Sequence, residues 1–201
     1  HLGCYDERPY ILYEYIAGEN LQEVLQQELS LQQRISYFSQ IVTALAFAHD
    51  NSVVHRDLKP RNILVDRDHV IKIADFGLAW APDSEALTAT GCSVGTPRFM
   101  SPEQLRGESR GRDFRADVWS FGVMLYYALS GNYPYLGNHL SALANNVEQI
   151  PLLRLHEVNP KIPASLSQLC HRCLERDPHL RFQSAIGLLR AWRSGLHGIM
   201  D

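Results

Sequence analysis

Apolar and polar residues are arranged along this chain in three ways, and each predicts a different kind of element. Residues 10–16, YILYEYI, form a β-branched and aromatic run that predicts a short strand. AGEN breaks it, and LQEVLQQ reads as a short helix. Ser30 with Gln33 fits a capping box. Beyond it Ile35, Phe38, Ile41, Val42, Leu45 and Ala46 recur at helical spacing, which predicts a long amphipathic helix over residues 30–50. Two short strands follow, ILVD and VIKIA, split by a charged turn at residues 66–69. Residues 80–114 carry Gly, Pro, Ser, Thr and charges with no sustained period, so they read as irregular. The segment RADVWSFGVMLYYALSG is apolar nearly all round, as in a helix buried on every side, with Gly131 suited to its C-terminal end. Further helices are expected near 139–148, 164–175 and 183–195.

Composition restricts what such a chain can be. It has 201 residues, 45% hydrophobic and 20% charged, enough apolar material for a sizeable core. The net charge of -3 gives no basic footprint for nucleic acid, so no nucleic-acid partner is expected. No apolar run approaches the length of a membrane span, and HLGCYDERPY lacks the basic start and apolar stretch of a signal peptide. A start at His rather than Met leads to the expectation of a piece of something longer. The four cysteines do not make a disulfide scaffold. Cys170 and Cys173, in CHRC, read as a buried helix face rather than a metal site, because no second Cys/His pair stands at a suitable spacing.

The chemistry concentrates in HRDLKPRN and ADFG. Asp57 precedes Asn62 by five residues, and Asn62 precedes Asp75 by thirteen, with a strand pair between. Each residue alone would fit a solvated loop charge; the ordered set argues for more. Together with Ser101-Pro102-Glu103 these stretches resemble the signature of eukaryotic-like serine/threonine protein kinases: a catalytic loop, then D-F-G, then A-P-E. Ser101 stands where that pattern has Ala. The resemblance implies a mainly α fold of the α+β protein-kinase type. Residues 1–16 would be the end of the small lobe and the hinge, and 17–201 a helical large lobe with short strands around the catalytic loop.

It also implies a reaction and a set of roles. The γ-phosphate of ATP would pass to Ser or Thr hydroxyls of a protein substrate, with Mg2+ or Mn2+. Asp57 resembles the base that orients the hydroxyl, Lys59 a charge near the transferring phosphate, and Asn62 and Asp75 the metal ligands. Lys59 in DLKP and Thr96 in GTPRFMSPE resemble serine/threonine rather than tyrosine enzymes, and the latter stretch has a flavour of the bacterial members. Arg56 would pair with a phosphate on the activation loop, where Ser84, Thr88, Thr90 and Ser93 are acceptors, with Thr88 and Thr90 favoured. Glu103 with Arg181 resembles an ion pair tying that segment to the helical lobe, and Asp117 a buried acid holding the catalytic loop. His55 and Phe76 would belong to an internal apolar spine. Tyr13 would be the gatekeeper, the backbone of Glu14 and Ile16 the adenine hinge, Glu19 or Asn20 the ribose contact and Leu64 the adenine floor. Dimerisation for autophosphorylation and a cytoplasmic location go with this reading, with room for a membrane anchor elsewhere in a longer parent.

One part of the pattern is missing: there is no G-x-G-x-x-G, and no strand lysine upstream of the hinge. Lys72, three residues before Asp75, lies on the strand feeding DFG and cannot take that role. Truncation of a full kinase is the expected explanation, and the isolated 201 residues are expected to be nearly inactive. The alternative is a catalytically inactive kinase-like binding module. A small-molecule phosphotransferase of related fold would have no need of the SPE segment.

Overall fold

The computed structural model describes residues 2–5, 8–76, 97–108 and 113–196. Strands β1 (Leu2–Tyr5) and β2 (Arg8–Ile11) form an antiparallel pair in which Leu2 faces Ile11. The strand expected over 10–16 therefore ends at Ile11; residues 12–17 are irregular, and Leu12, Tyr13 and Tyr15 are exposed. The aromatic run signals a strand, but β1 supplies partners only as far as Ile11. The AGEN break is itself partly a strand, β3 (Gly18–Asn20), because β4 (Ile63–Asp66) offers it an edge. With β5 (Ile71–Ile73) these make a three-stranded antiparallel sheet in the order β3-β4-β5.

Helix α1 (Leu21–Val24) is opened by Asn20, whose side chain accepts from Glu23 N–H while the Glu23 carboxylate accepts from Asn20 N–H. The expected capping box of Ser30 and Gln33 opens α2 (Leu31–Asp50). All six apolar positions read on α2 are at most 6% exposed, and Tyr37 and His49 are buried with them. Gln40 of α2 fixes the turn between β4 and β5: its oxygen accepts from Ile71 N–H and its amide donates to His69 C=O, both at 3.0 Å. The strands carrying the candidate chemistry are thereby fastened to the longest helix.

Helix α3 (Pro102–Leu105) is followed by α4 (Arg115–Ser130), which is buried nearly all round. Gly131 ends α4 with φ of 73°, a left-handed conformation that glycine adopts without a Cβ clash. Helices α5 (Leu140–Gln149), α6 (Leu155–Val158), α7 (Ala164–Cys173) and α8 (Ala185–Gly195) complete the described part. Edge-to-face rings join three of the helices: Phe38 of α2 lies 5.4 Å from Phe121 of α4, which lies 5.8 Å from Trp192 of α8. Trp192 Nε1 donates to Ser39 Oγ at 2.8 Å, so the indole is buried without an orphaned donor.

Cys170 and Cys173 are fully buried on α7, and burial raises both thiols, as suits inert core residues. They pack against Gly122 of α4, where an added Cβ would lie 2.7 Å from Cys173 Cβ and 3.0 Å from Leu174 Cγ. Gly122→Ala is expected to cost about 1–3 kcal/mol by forcing α4 and α7 apart. Thermal melting of the purified variant checks this; an unchanged midpoint would mean the helices separate freely.

Candidate active site

The loop between α2 and β4 has to change direction sharply, and Arg56 takes it through φ of 69°. The strain is held by Asp117 in the first turn of α4. Its Oδ2 accepts from His55 N–H at 2.8 Å and from His49 Nε2 at 2.9 Å, and its Oδ1 accepts from Arg56 N–H at 2.8 Å. A fully buried carboxylate is tolerable only with such partners. Gln104 of α3 adds a bond to Arg56 C=O at 2.9 Å. His49 and Gln104 escape sequence reasoning as loop supports. For His49 a signal exists: positions 42, 45, 46 and 49 make one helical stripe, and a polar residue on a buried stripe calls for a buried partner.

His55 is buried between the loop and the strand that follows. Its Nε2 faces Ala74 C=O at 2.9 Å and its Nδ1 faces Asp57 N–H at 3.3 Å. A carbonyl can only accept and an N–H only donate, so Nε2 donates to Ala74 and Nδ1 accepts from Asp57. Its ring lies 4.7 Å from that of Phe76.

Upon this frame Asp57, Lys59 and Asn62 converge. Lys59 Nζ donates to Asp57 Oδ2 at 2.5 Å. Asn62 closes a 3-10 turn that begins at Pro60 and is buried. Its Nδ2 donates to Asp57 C=O at 2.9 Å and to Asp57 Oδ2 at 3.3 Å. The amide oxygen of Asn62 is thus turned away from Asp57 and left as a donor atom for a cation. Asp75 has φ of 61°, and Ala74 before it is held on both sides, since Ala74 N–H also donates to Asn62 C=O at 2.8 Å. The phenol of Tyr13 is raised above its ordinary pKa, first by desolvation and then by the Asp75 carboxylate, which accepts its hydrogen bond.

The remaining expected positions are spread around this centre. Leu64 is half-buried on the face of β4 opposite Ile63 and Val65, and strand pairing sets it between Asn20 and Lys72. Glu14 and Ile16 lie in the irregular stretch after β2, where neither makes a hydrogen bond from its backbone to another described residue. The Glu14 carboxylate is 3.9 Å from Lys72, an exposed and therefore weak pair. The Asn20 oxygen is taken by the α1 cap and Glu19 accepts from Gln27, so toward a ribose Asn20 has only its amino group to offer. Thr96, Ser84, Thr88, Thr90 and Ser93 lie outside the described residues.

Glu103 and Arg181 meet as expected, through two parallel bonds of 2.8 Å. Arg181 is 1% exposed and donates also to the carbonyls of Glu175, Arg115 and Arg176, with its guanidinium 5.0 Å from the Trp119 ring centroid.

A divalent cation fits the donor set. Asn62 and Asp75 offer two hard oxygen groups, and magnesium is commonly held by one or two carboxylates completed by substrate phosphates and water. Among the described residues no group of three or more His, Cys, Asp or Glu could hold a metal by itself.

Comparisons with known proteins identify the family. A family model of the protein kinase domain matches residues 4–192. The chain is 38% identical over 182 residues to a probable serine/threonine-protein kinase of Clostridium acetobutylicum, covering 90% of this chain and 27% of that protein. It is 34% identical over 186 residues to the serine/threonine-protein kinase PrkC of Bacillus subtilis, covering 92% and 28%. With the serine/threonine-protein kinase PknB of Mycobacterium leprae identity is 36% over 183 residues, covering 88% and 29%. The chain thus spans less than a third of the length of these relatives. Over residues 4–192 the chain belongs to the protein kinase domain family.

Proposed function

We propose that the protein transfers the γ-phosphate of ATP to Ser or Thr hydroxyls of protein substrates. The observation that carries this is the convergence of Asp57, Lys59 and Asn62 on a loop whose backbone is tied to buried Asp117 and, through His55 and Ala74, to Asp75. Such a frame suits phosphoryl transfer, which needs positioning and charge neutralisation more than covalent help from the protein.

In this reading Asp57 orients the acceptor hydroxyl and takes its proton. The hydroxyl oxygen forms a bond to the γ-phosphorus, the bond from that phosphorus to the bridging oxygen breaks, and ADP leaves with the bond's electron pair. Lys59, already hydrogen-bonded to Asp57, neutralises charge on the phosphoryl oxygens. Asn62 and Asp75 hold the divalent ion, Mg2+ or Mn2+, which when bound neutralises phosphate charge. Leu64 forms the floor under the adenine, and the backbone of Glu14 and Ile16 meets its edge. Thr96 assists Asp57 and Lys59, and Arg56 pairs with a phosphate carried by Thr88, Thr90 or Ser93. Signalling by phosphorylation in the cytoplasm, with dimers for autophosphorylation, completes the proposal.

The test is incubation of the full-length protein with magnesium, labelled ATP and a general protein acceptor, followed by phosphoamino-acid analysis. Phosphoserine or phosphothreonine is expected. Phosphotyrosine alone, or no transfer from an intact protein that binds ATP, would overturn the reading.

A further inference from the structure

Next to Asp57 lies a group of cationic and aromatic side chains that the reaction itself does not use. Tyr127 of α4 and Tyr133 just beyond it are stacked, with ring centroids 4.6 Å apart and planes 18° from parallel. The Arg98 guanidinium lies over the Tyr133 ring, 4.7 Å from its centroid. Arg61 comes from the 3-10 turn that ends in Asn62. It is exposed, and its Nε donates to Gln22 Oε1 at 2.9 Å, which fixes its direction against α1. Burial and Tyr127 raise the Tyr133 phenol, while the charges of Arg98 and Arg61 both pull against that rise, so each guanidinium acts on the same hydroxyl.

Two guanidinium groups near one tyrosine ring repel each other unless an anion lies between them. Among the described residues neither arginine has a carboxylate partner. Arg61 uses only Nε within the described protein, so its two terminal nitrogens are open. Arg98 spends one hydrogen bond on the Tyr133 hydroxyl, and the rest of its N–H edge stays in the guanidinium plane, open to a planar or tetrahedral oxyanion. The location is also suitable. Phe99, whose ring packs edge-on to Tyr133 at 6.0 Å, lines the same small cavity as Asp57, Leu58, Met100 and Gln104.

We propose that Arg61 and Arg98, on the Tyr127–Tyr133 stack, form a subsite for an anionic side chain of the protein substrate, a carboxylate or a phosphate monoester close in sequence to the acceptor hydroxyl. An extended peptide advances about 3.3 Å per residue, so a subsite adjoining the cavity at Asp57 reads a residue close in sequence to the acceptor. The subsite makes the enzyme acid-directed and rejects basic side chains by like-charge repulsion. The inference deepens the kinase reading and rests on it.

Four peptides test it, identical except for one position near the acceptor, which is Glu, phosphoserine, Gln or Arg. Binding is read by fluorescence anisotropy, which needs no transfer, and phosphorylation of the same peptides is read separately. The Glu or phosphoserine peptide is expected to bind at least about fivefold more tightly than the Gln peptide, and the Arg peptide more weakly than either. Preference for phosphoserine alone would assign the subsite to phosphate; preference for both would assign it to carboxylate as well. In Arg61→Glu the order should reverse in favour of the Arg peptide, and Arg98→Glu should weaken acid binding in the same direction. Circular dichroism of each variant, with Arg61→Gln as the milder change, separates loss of the subsite from loss of the fold. Equal binding of Glu, phosphoserine and Gln peptides, or an acid preference that survives both charge reversals, would overturn the inference. Charge-ordered binding with no phosphorylation of any peptide would count against the kinase reading and leave the subsite supported.

Discussion

Asp57→Ala in the full-length protein is expected to slow phosphoryl transfer about 100- to 10,000-fold, the range general-base catalysis supplies. The affinity for ATP should change little, because the nucleotide contacts proposed here come from Leu64, the backbone of Glu14 and Ile16, and the cation on Asn62 and Asp75. The loop itself should survive, since Asp117 holds it through the backbone of His55 and Arg56 and not through the Asp57 side chain. The kinetic mark of this role is a fall in kcat with KM for ATP nearly unchanged, measured beside ATP binding by calorimetry. Asp57→Asn is a useful companion. It keeps the shape, removes the base and weakens the bond from Lys59, so activity close to wild type would sink the assignment.

The largest effect on stability is expected at Arg181. Its replacement by Ala leaves the Glu103 carboxylate buried without a cation, costing about 3–5 kcal/mol and lowering the melting temperature by roughly 6–20 °C in a chain of this size. Three orphaned carbonyls, of Glu175, Arg115 and Arg176, add to the loss. Exchanging both partners for apolar residues of similar volume should recover much of it, because a buried ion pair stabilises little more than good apolar packing. Acid titration gives a second check. Desolvation would raise the Glu103 carboxyl, but the hydrogen bonds and charge of Arg181 outweigh it and hold the pKa below the ordinary value. A group lowered in this way contributes its stability above the unfolded carboxylate pKa of about 4.3 and loses it as pH falls through the lower folded value. The difference in stability between wild type and Glu103→Gln should therefore be full at pH 7 and narrow below about pH 4. A difference independent of pH would show that the charge is not what matters there.

The sequence carried the helical part of this architecture well and the approach to it poorly. The stripe from Ile35 to Ala46 and the all-round apolar character of residues 115–130 each translate directly into burial, because helical period is a local property. The ends of β2 and the existence of β3 were not local. They depend on partners, Leu2 for Ile11 and Leu64 for Asn20, that are far apart in sequence or too short to signal themselves. The same division runs through the candidate site. Asp57, Lys59, Asn62 and Asp75 were legible from spacing, since phosphate chemistry dictates residue types. Of the groups that hold the loop, Asp117 was legible too, His49 left only its place on a buried stripe, and Gln104 left no signal, because a supporting hydrogen bond can come from many side chains at many positions. Asn20 shows a demand that motif spacing does not announce: its side-chain oxygen opens α1, which leaves its amino group for any ribose contact.

Ala74 is gripped twice, through its N–H by Asn62 and through its C=O by His55. Both grips belong to residues that also touch Asp57. The spacing between the proposed base and the backbone that presents the proposed metal acid is therefore set by bonds within residues 55–75. Whatever closes over the nucleotide from the other side meets a ruler already cut to length. Its contribution is to deliver the phosphate to that ruler, not to set the interval between the two carboxylates.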